Sequence, residues 1–543
     1  MQTDKLIFTN PATGEKFGEM PMTSPETVAL YRQEMGRAAA VWRQKTLAER
    51  VRILKQFQGV LIEAVDEISA VLNQDCGKTR QDGLIELFIT VDLLHQYCNH
   101  AARWLRRKSI WPGLYFFRRY YTEQRPYGTV AVIGPWNYPL IMVLGPALAA
   151  LAAGNTVIVK PSEVTAATGQ LIEKLLQRVP DLAPFVRVVH GDGRVGEALV
   201  RSKPELVFLT GSTPTGKRVS QVAAENLTPV IFELGGKDAM IVLEDADVDA
   251  AARWGVWGAF FNAGQTCMAV ERVYVVESVY DAFVERVLHY TREFKMGYTP
   301  AVESPYSLGP LTFQRQVTIM EQHLQDALAK GARILAGGQR REMFAEPTVV
   351  VNVDHDMLLM REETFSPVMP IMKVKNEAEA VRLANDSQYG LGAYIWTGDL
   401  QRGQRLGQQI EAGTIVINDV LSHFAVTQLP FGGVKQSGNG RVHGEQDLLQ
   451  FTQTHAYAVG RPPLPFDIAT VLRQPGYYWL GEAVLKLVFG VTPRQRLEPL
   501  RELLPAELPS VPPTTRRTAN NLATAGTLMA LATLLLSIWR WRK

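Results

Sequence analysis

Between residues 128 and 243, short apolar runs rich in β-branched residues alternate with longer runs of helical period. Few folds accommodate that alternation. Thr129 to Ile133, Thr156 to Val159, Val186 to Val189, Leu206 to Leu209 and Val230 to Phe232 read as buried strands. A strand that is apolar on both faces must be covered on both faces. The segments near 139–153, 165–178, 193–202 and 214–225 supply the covering helices, so the spacing predicts an α/β fold around a parallel sheet. Ligands bind such sheets beyond the carboxyl ends of the strands. A second α/β unit is expected from about 237 to 430, and no internal repeat is evident.

The 543 residues leave room for several domains. With 57 basic and 54 acidic residues and no basic stripe interleaved with aromatics, nucleic acid is not an expected partner. The balance is uneven. Residues 461–543 carry 11 basic and 5 acidic side chains, which leaves the body slightly acidic and suits the tail to anionic lipid. The three cysteines, Cys76, Cys98 and Cys267, give neither a disulfide framework nor a metal pair. No clustered Cys/His or H-E-x-x-H pattern calls for a metal. Cys76 and Cys98 read as small buried hydrophobes, and His423 and His443 as structural residues.

Leu522 to Trp539 is 18 residues without a charge, flanked by Trp541, Arg540, Arg542 and Lys543. As a helix it spans about 27 Å, just under the roughly 30 Å hydrocarbon core. A single-pass C-terminal membrane anchor over 520–540 is therefore expected. The N-terminus shows no signal peptide pattern, so the large domain is expected on the cytoplasmic side. Between body and anchor, 461–515 contains the apolar run Leu480 to Val491, expected either to lie on the bilayer or to pack on the body.

The chemistry concentrates at Cys267, in Gly264-Gln265-Thr266-Cys267, and at Glu233, 34 residues earlier, in Glu233-Leu234-Gly235-Gly236-Lys237. A lone cysteine is usually a small hydrophobe and a lone glutamate usually a solvated charge. Together they offer a nucleophile for a carbonyl and a base for water, beside glycines that admit a flat cofactor. Gly191-Asp192-Gly193-Arg194-Val195-Gly196 matches a dinucleotide fingerprint but lacks the acidic residue expected about 20 positions on. The better phosphate candidate is Gly211-Ser212-Thr213-Pro214-Thr215-Gly216, which follows a strand and opens a helix.

Seven motifs then occur in one order: Pro135-Trp136-Asn137-Tyr138-Pro139, Lys160-Pro161-Ser162-Glu163, Gly211-Ser212, the Glu233 and Cys267 segments, Glu362-Glu363-Thr364-Phe365-Ser366-Pro367, and Pro430-Phe431-Gly432-Gly433-Val434-Lys435. On these the chain resembles the aldehyde dehydrogenase superfamily from near residue 8 to about 460. Asn418 to Gly444 resembles the class 3, fatty-aldehyde branch, whereas Asn10 to Glu15 looks more like other branches. The resemblance implies a Rossmann-type NAD-binding domain (1–113 and 126–235), a catalytic domain (236–430) and an oligomerisation segment (114–125 and 431–460) that builds dimers or tetramers. It implies that Cys267 attacks an aldehyde, that Asn137 holds the oxyanion, and that Glu233 activates water to release the acid. Trp136, Lys160, Glu163, Gly211, Ser212, Gly235, Glu363 and Phe365 are implied cofactor contacts. Glu163 on a ribose favours NAD, with NADP the alternative. Tyr138, Thr266, Met268 and Phe424 are expected along the aldehyde path. Together with the anchor, the resemblance suggests a medium- or long-chain fatty aldehyde. The alternatives are an acylating, coenzyme A-dependent dehydrogenase and a membrane-anchored scaffold without catalysis.

Overall fold

The computed structural model describes residues 5–113, 118–460, 473 and 477–503. They belong to two compact units, Met1–Arg106 with Gln124–Thr454, and Arg107–Glu123 with His455–Lys543.

The first unit is built on two sheets. In one, β1 (Thr129–Ile133), β2 (Thr156–Lys160), β3 (Val186–Val188), β4 (Leu206–Gly211) and β5 (Val230–Leu234) lie in the order β3-β2-β1-β4-β5, all parallel. Every residue of β1 and β2 is buried, as the absence of a polar face in their sequence requires. Helix Ile141–Ala153 is buried almost all round, and helices Ala166–Gln177, Gly193–Arg201 and Thr213–Ala224 follow the later strands. Each strand and helix expected from the alternation is present, with ends shifted by one or two residues. The strand order reverses between β1 and β4, so the loops leaving those strands border one crevice.

The second sheet holds β6 (Ala239–Val242), β7 (Arg272–Val276), β8 (Arg333–Ala336), β9 (Thr348–Val351), β10 (Val368–Val374), β11 (Gly392–Trp396) and β12 (Thr414–Ile417). Their order is β8-β9-β10-β7-β6-β11-β12, parallel except for the edge strand β8. Only Gly235 to Asp238 separate β5 from β6, so four residues carry the chain from one sheet to the other.

The second unit contains an antiparallel sheet in which Arg118–Pro126 lies between Lys108–Ile110 and Thr452–Gly460. Tyr121 stacks on Tyr457 at 4.8 Å, and the Arg107 guanidinium lies 4.1 Å from the Tyr121 ring. Most of the apolar run Leu480 to Val491 lies in helix Tyr477–Phe489, which is followed by Pro493–Leu503. Lys486 pairs with Glu482 of its own helix at 2.9 Å and reaches Glu498 of the second helix at 3.9 Å. Tyr478, Leu485 and Phe489 remain exposed. No helix among the described residues is long and apolar enough to cross a membrane; the anchor expected at 520–540 lies outside those residues.

One buried amide ties the start of the first sheet to the chain near its C-terminal strand. Asn155 Oδ1 accepts from the Gly128 N–H at 3.0 Å, and its Nδ2 donates to the Ala150 and Phe451 carbonyls at 3.0 and 2.9 Å. Replacing it with alanine leaves a buried donor and acceptor unpaired. Asn155→Ala is expected to destabilise the protein by about 2–4 kcal/mol, read as a lower denaturation midpoint.

Candidate active site

Cys267 stands at the end of a strained turn. Helix Val248–Phe260, capped by Asp247, runs into residues 261–264, where Asn262, Ala263 and Gly264 take φ of 53°, 55° and 70°. Two of these are not glycine, and left-handed backbone costs each of them about 1–2 kcal/mol. Hydrogen bonds hold the turn. Asn262 Nδ2 donates to the Gln265 carbonyl at 3.2 Å, Gln265 Nε2 donates to the Asn262 carbonyl at 3.1 Å, and the Thr312 N–H donates to Gln265 Oε1 at 2.8 Å. Gly264 has no alternative, because a Cβ there would sit 2.3 Å from the Ser366 carbonyl. The turn leaves Cys267 half-buried, whereas Cys76 and Cys98 are buried and unpaired.

Glu233, near the carboxyl end of β5, is 3% exposed, and neither carboxylate oxygen makes a hydrogen bond. The Cys267 thiol lies near enough to favour its ionised form, without the geometry of a formed bond. Burial dominates and pushes the Glu233 carboxyl up to about 8. Burial also pushes the Cys267 thiol well above its usual value, and the charges of Glu233, Asp238 and Glu363 add to this. Nucleophile and base therefore face each other in a dry setting, bordered by carboxyls that burial keeps largely protonated, and the thiol too stays protonated at neutral pH.

Asn137, in the loop after β1, is buried and donates from Nδ2 to the Gln265 carbonyl at 3.1 Å, two residues before the cysteine. A primary amide carries two hydrogens, so this bond leaves the second to be directed elsewhere. Tyr138 and Thr266 share a hydroxyl hydrogen bond of 2.9 Å, and Tyr394 donates to the Met268 carbonyl at 2.6 Å. Tyr138, Met142, Trp257 and Phe261 are partly buried against the same core as Cys267, and that core includes Met268 and Phe424.

The expected cofactor contacts gather at the carboxyl ends of the first sheet. Lys160 ends β2, its ammonium 3.1 Å from Glu163 and 3.0 Å from the Pro161 carbonyl. Gly211 ends β4, and Ser212 caps helix Thr213–Ala224. Trp136 meets Phe365 edge-on at 5.5 Å, Phe365 itself taking φ of 52°. Gly235 and Gly236 make room for protein atoms. A Cβ on Gly235 would lie 2.4–2.7 Å from the Glu363 carboxylate, and one on Gly236 would lie 2.4 Å from the Cys267 carbonyl. Glu363 accepts from the Gly236 N–H at 3.0 Å. The Gly191–Gly196 loop is unsuited to phosphate, since the Asp192 carboxylate already caps helix Gly193–Arg201. A helix start with a small cap, a lysine–glutamate pair at the end of β2 on the other side of β1, and an aromatic pair together fit a nicotinamide dinucleotide.

Two ion pairs behind these loops were not assigned from sequence. Lys237 and Glu271 meet at 2.6 Å, nearly fully buried, and Glu271 accepts from the Thr364 and Phe365 N–H groups at 2.8 and 2.9 Å. Lys78 and Glu86 meet at 2.7 Å behind Asn137, both side chains buried. Burial opposes the Lys78 charge, but the negative groups around it, Glu86 foremost, together outweigh burial and hold it above its usual value. His423 is buried with both ring nitrogens unpartnered and His443 with Nδ1 unpartnered, and burial lowers them to about 4 and about 3, so both are neutral. No group of metal-ligating side chains occurs among the described residues.

These shifts set a pH dependence. Alkylation of ligand-free Cys267 by iodoacetamide is expected to be slow at pH 7 and to climb without levelling up to pH 9. Glu233→Gln removes a negative neighbour once that group would be ionised, and should move the curve to lower pH. Glu233 holds its proton more tightly folded than unfolded, so its contribution to stability is full below about 4.5 and is lost as pH rises through about 8. The same variant should therefore reduce the fall in Tm between pH 6 and pH 9.

Residues 1–457 match the family described as "Aldehyde dehydrogenase family". The chain is 40% identical over 463 residues to 4,4'-diapolycopene aldehyde oxidase of Methylomonas sp, covering 85% of this chain and 87% of that one. Its fold is similar to the NADP-dependent glyceraldehyde-3-phosphate dehydrogenase of Bacillus halodurans complexed with NADP, with a TM-score of 0.80 and 31% identity over 84% of this chain and 96% of the other. It is similar also to betaine aldehyde dehydrogenase of Staphylococcus aureus in complex with NAD+, with a TM-score of 0.80 and 28% identity over 85% and 92%. The chain belongs to the aldehyde dehydrogenase family and is an NAD(P)-dependent oxidoreductase.

Proposed function

We propose that this enzyme oxidises an apolar aldehyde to the carboxylic acid through a thioester on Cys267. The observation that carries the reading is a half-buried thiol facing a buried carboxyl with no hydrogen-bond partner, beside an amide tied to the nucleophile loop. Glu233 takes the thiol proton, and the sulfur electron pair forms the bond to the aldehyde carbon. The carbonyl electron pair moves to oxygen, where the free hydrogen of the Asn137 amide and the Cys267 N–H stabilise it. When bound, the nicotinamide cofactor supplies the acceptor for the aldehyde hydrogen. A thioester then remains on Cys267. Glu233, having passed its proton to solvent, takes one from water, and the new hydroxide displaces the sulfur. A base near 8 suits that step around neutral pH. It gives an acylating enzyme, whose acceptor would be coenzyme A, nothing to do.

Trp136, Lys160, Glu163, Gly211, Ser212, Gly235, Glu363 and Phe365 are the groups that would hold the cofactor. The Glu163 carboxylate beside Lys160 favours a ribose with a free 2′-hydroxyl, hence NAD over NADP. The apolar residues sharing a core with Cys267 support an apolar substrate, as does the 40% identity to a relative named for 4,4'-diapolycopene aldehyde. The uncharged run Leu522 to Trp539 supports a single-pass C-terminal anchor that would hold the catalytic body near aldehydes that partition into lipid. The exposed Tyr478, Leu485 and Phe489 support contact of helix Tyr477–Phe489 with the bilayer surface. The largely exposed strand Thr452–Gly460 supports assembly into dimers or tetramers by strand pairing.

Steady-state NADH formation across acetaldehyde, succinate semialdehyde, octanal and hexadecanal tests the substrate class. kcat/KM is expected to rise with apolar chain length, to be larger with NAD than with NADP, and to vanish in Cys267→Ala. A preference for the charged or shortest aldehyde would overturn the apolar reading. Glu233→Gln, which loses the base for both the thiol and the water, should turn over about 10²–10⁴ times more slowly in the same assay.

A further inference from the structure

We propose that the buried Lys78–Glu86 pair is the positioning device that aims the Asn137 amide; the inference rests on the oxyanion role just given to Asn137. The geometry grips the loop after β1 at its middle and at its far end. Lys78 Nζ donates to the Asn137 carbonyl at 2.9 Å and lies 4.4 Å from the centre of the Tyr138 ring. Glu86 receives Lys78 on Oε2 at 2.7 Å. Its other oxygen, Oε1, accepts from the Leu140 and Ile141 N–H groups at 2.8 and 3.2 Å, where helix Ile141–Ala153 begins. Carboxylates are favoured at a helix start. One ion pair therefore fixes the residue that carries the amide, the ring beside it and the first turn that follows.

The pair is not explained by stability alone. Side chains 1% and 0% exposed have lost nearly all their hydration, and a buried pair is often no better for stability than apolar residues of the same volume. What it supplies is direction. The Asn137 carbonyl has a second donor, Asn262 Nδ2, at a long 3.4 Å, and Asn262 also bonds the Gln265 carbonyl that receives the Asn137 amide. Without the ammonium, that weak contact is what remains on the carbonyl, and the peptide plane bearing the amide is free to turn. Displacements of about 1 Å at a reacting centre cost on the order of 10²-fold in rate.

The test compares Lys78→Met/Glu86→Gln, Lys78→Arg and Asn137→Ala with the wild type, all as full-length protein. The double variant removes both charges together, so neither is stranded. The readouts are kcat for octanal, NAD affinity by fluorescence quenching, and the rate of Cys267 alkylation by iodoacetamide, a reaction with no oxyanion. The double variant is expected to lose 10- to 100-fold in kcat, with NAD affinity and alkylation rate within twofold of wild type. Lys78→Arg, which keeps a cation in place, should recover part of kcat. A folded double variant with kcat within twofold of wild type would overturn the proposal. So would parallel losses in all three readouts, which would mark the pair as support for the whole fold. If Asn137→Ala is slow and the double variant is not, the positioning role alone fails. If Asn137→Ala itself is fully active, the oxyanion role fails and the positioning role with it.

Discussion

Four residues between the two sheets impose the constraint on which the site depends. β5 ends at Leu234 and β6 begins at Ala239, so Gly235 to Asp238 must cross without slack. The crossing leaves no volume for side chains at its first two positions. Glu363 occupies the space over Gly235, and the Cys267 carbonyl lies over Gly236. Lys237 is then held by Glu271 and by the Thr364 hydroxyl at 3.0 Å. Glu233, two residues before the crossing, has its direction set by β5, and the nucleophile turn has to come to it. That turn reaches it only through left-handed backbone at Asn262 and Ala263, a strain the surrounding hydrogen bonds offset.

The same dry interior acts in two ways. At Glu233 there is no countercharge, so burial favours the neutral acid and brings its titration near physiological pH, where a base that gains and loses a proton is most useful. At Lys78 and Glu86, and at Lys237 and Glu271, each charge has a partner, and the attraction that water would weaken is retained. The unpaired group belongs to the chemistry and the paired groups to the loops that aim it. Their positions follow this division. The ion pairs lie behind Asn137 and behind Phe365, and Glu233 lies in front of Cys267.

Much of this was legible in the letters. Five apolar β-rich runs separated by helical ones give a parallel sheet because no other arrangement covers both faces of each strand. Cys267, Glu233 and Asn137 stand out by their neighbours in the chain. Lys78 and Glu86 did not stand out, since eight residues apart across a helix start they look like two solvated charges. Gly235 and Gly236 were read as room for a flat cofactor, and the adjoining space is taken by Glu363 and by the Cys267 backbone. The Gly191–Gly196 loop matched a phosphate pattern in letters, but Asp192 turns its carboxylate onto the helix start that a phosphate would need.

By itself the sequence determined which elements form and which residue types can do the chemistry, because period, apolar coverage and local turn preferences act over a few neighbouring residues. Only the tertiary structure decided which charges are paired, which are left alone in a dry interior, and how the loops carrying Asn137, Cys267 and Glu363 face one another. Those outcomes depend on how whole segments pack: Asn137 meets Gln265 across 128 positions and Gly236 meets Glu363 across 127, and even the nearer pair Lys237 and Glu271 comes from two different strands' ends. No local pattern encodes whether a carboxylate in a strand will meet an ammonium, a thiol or water.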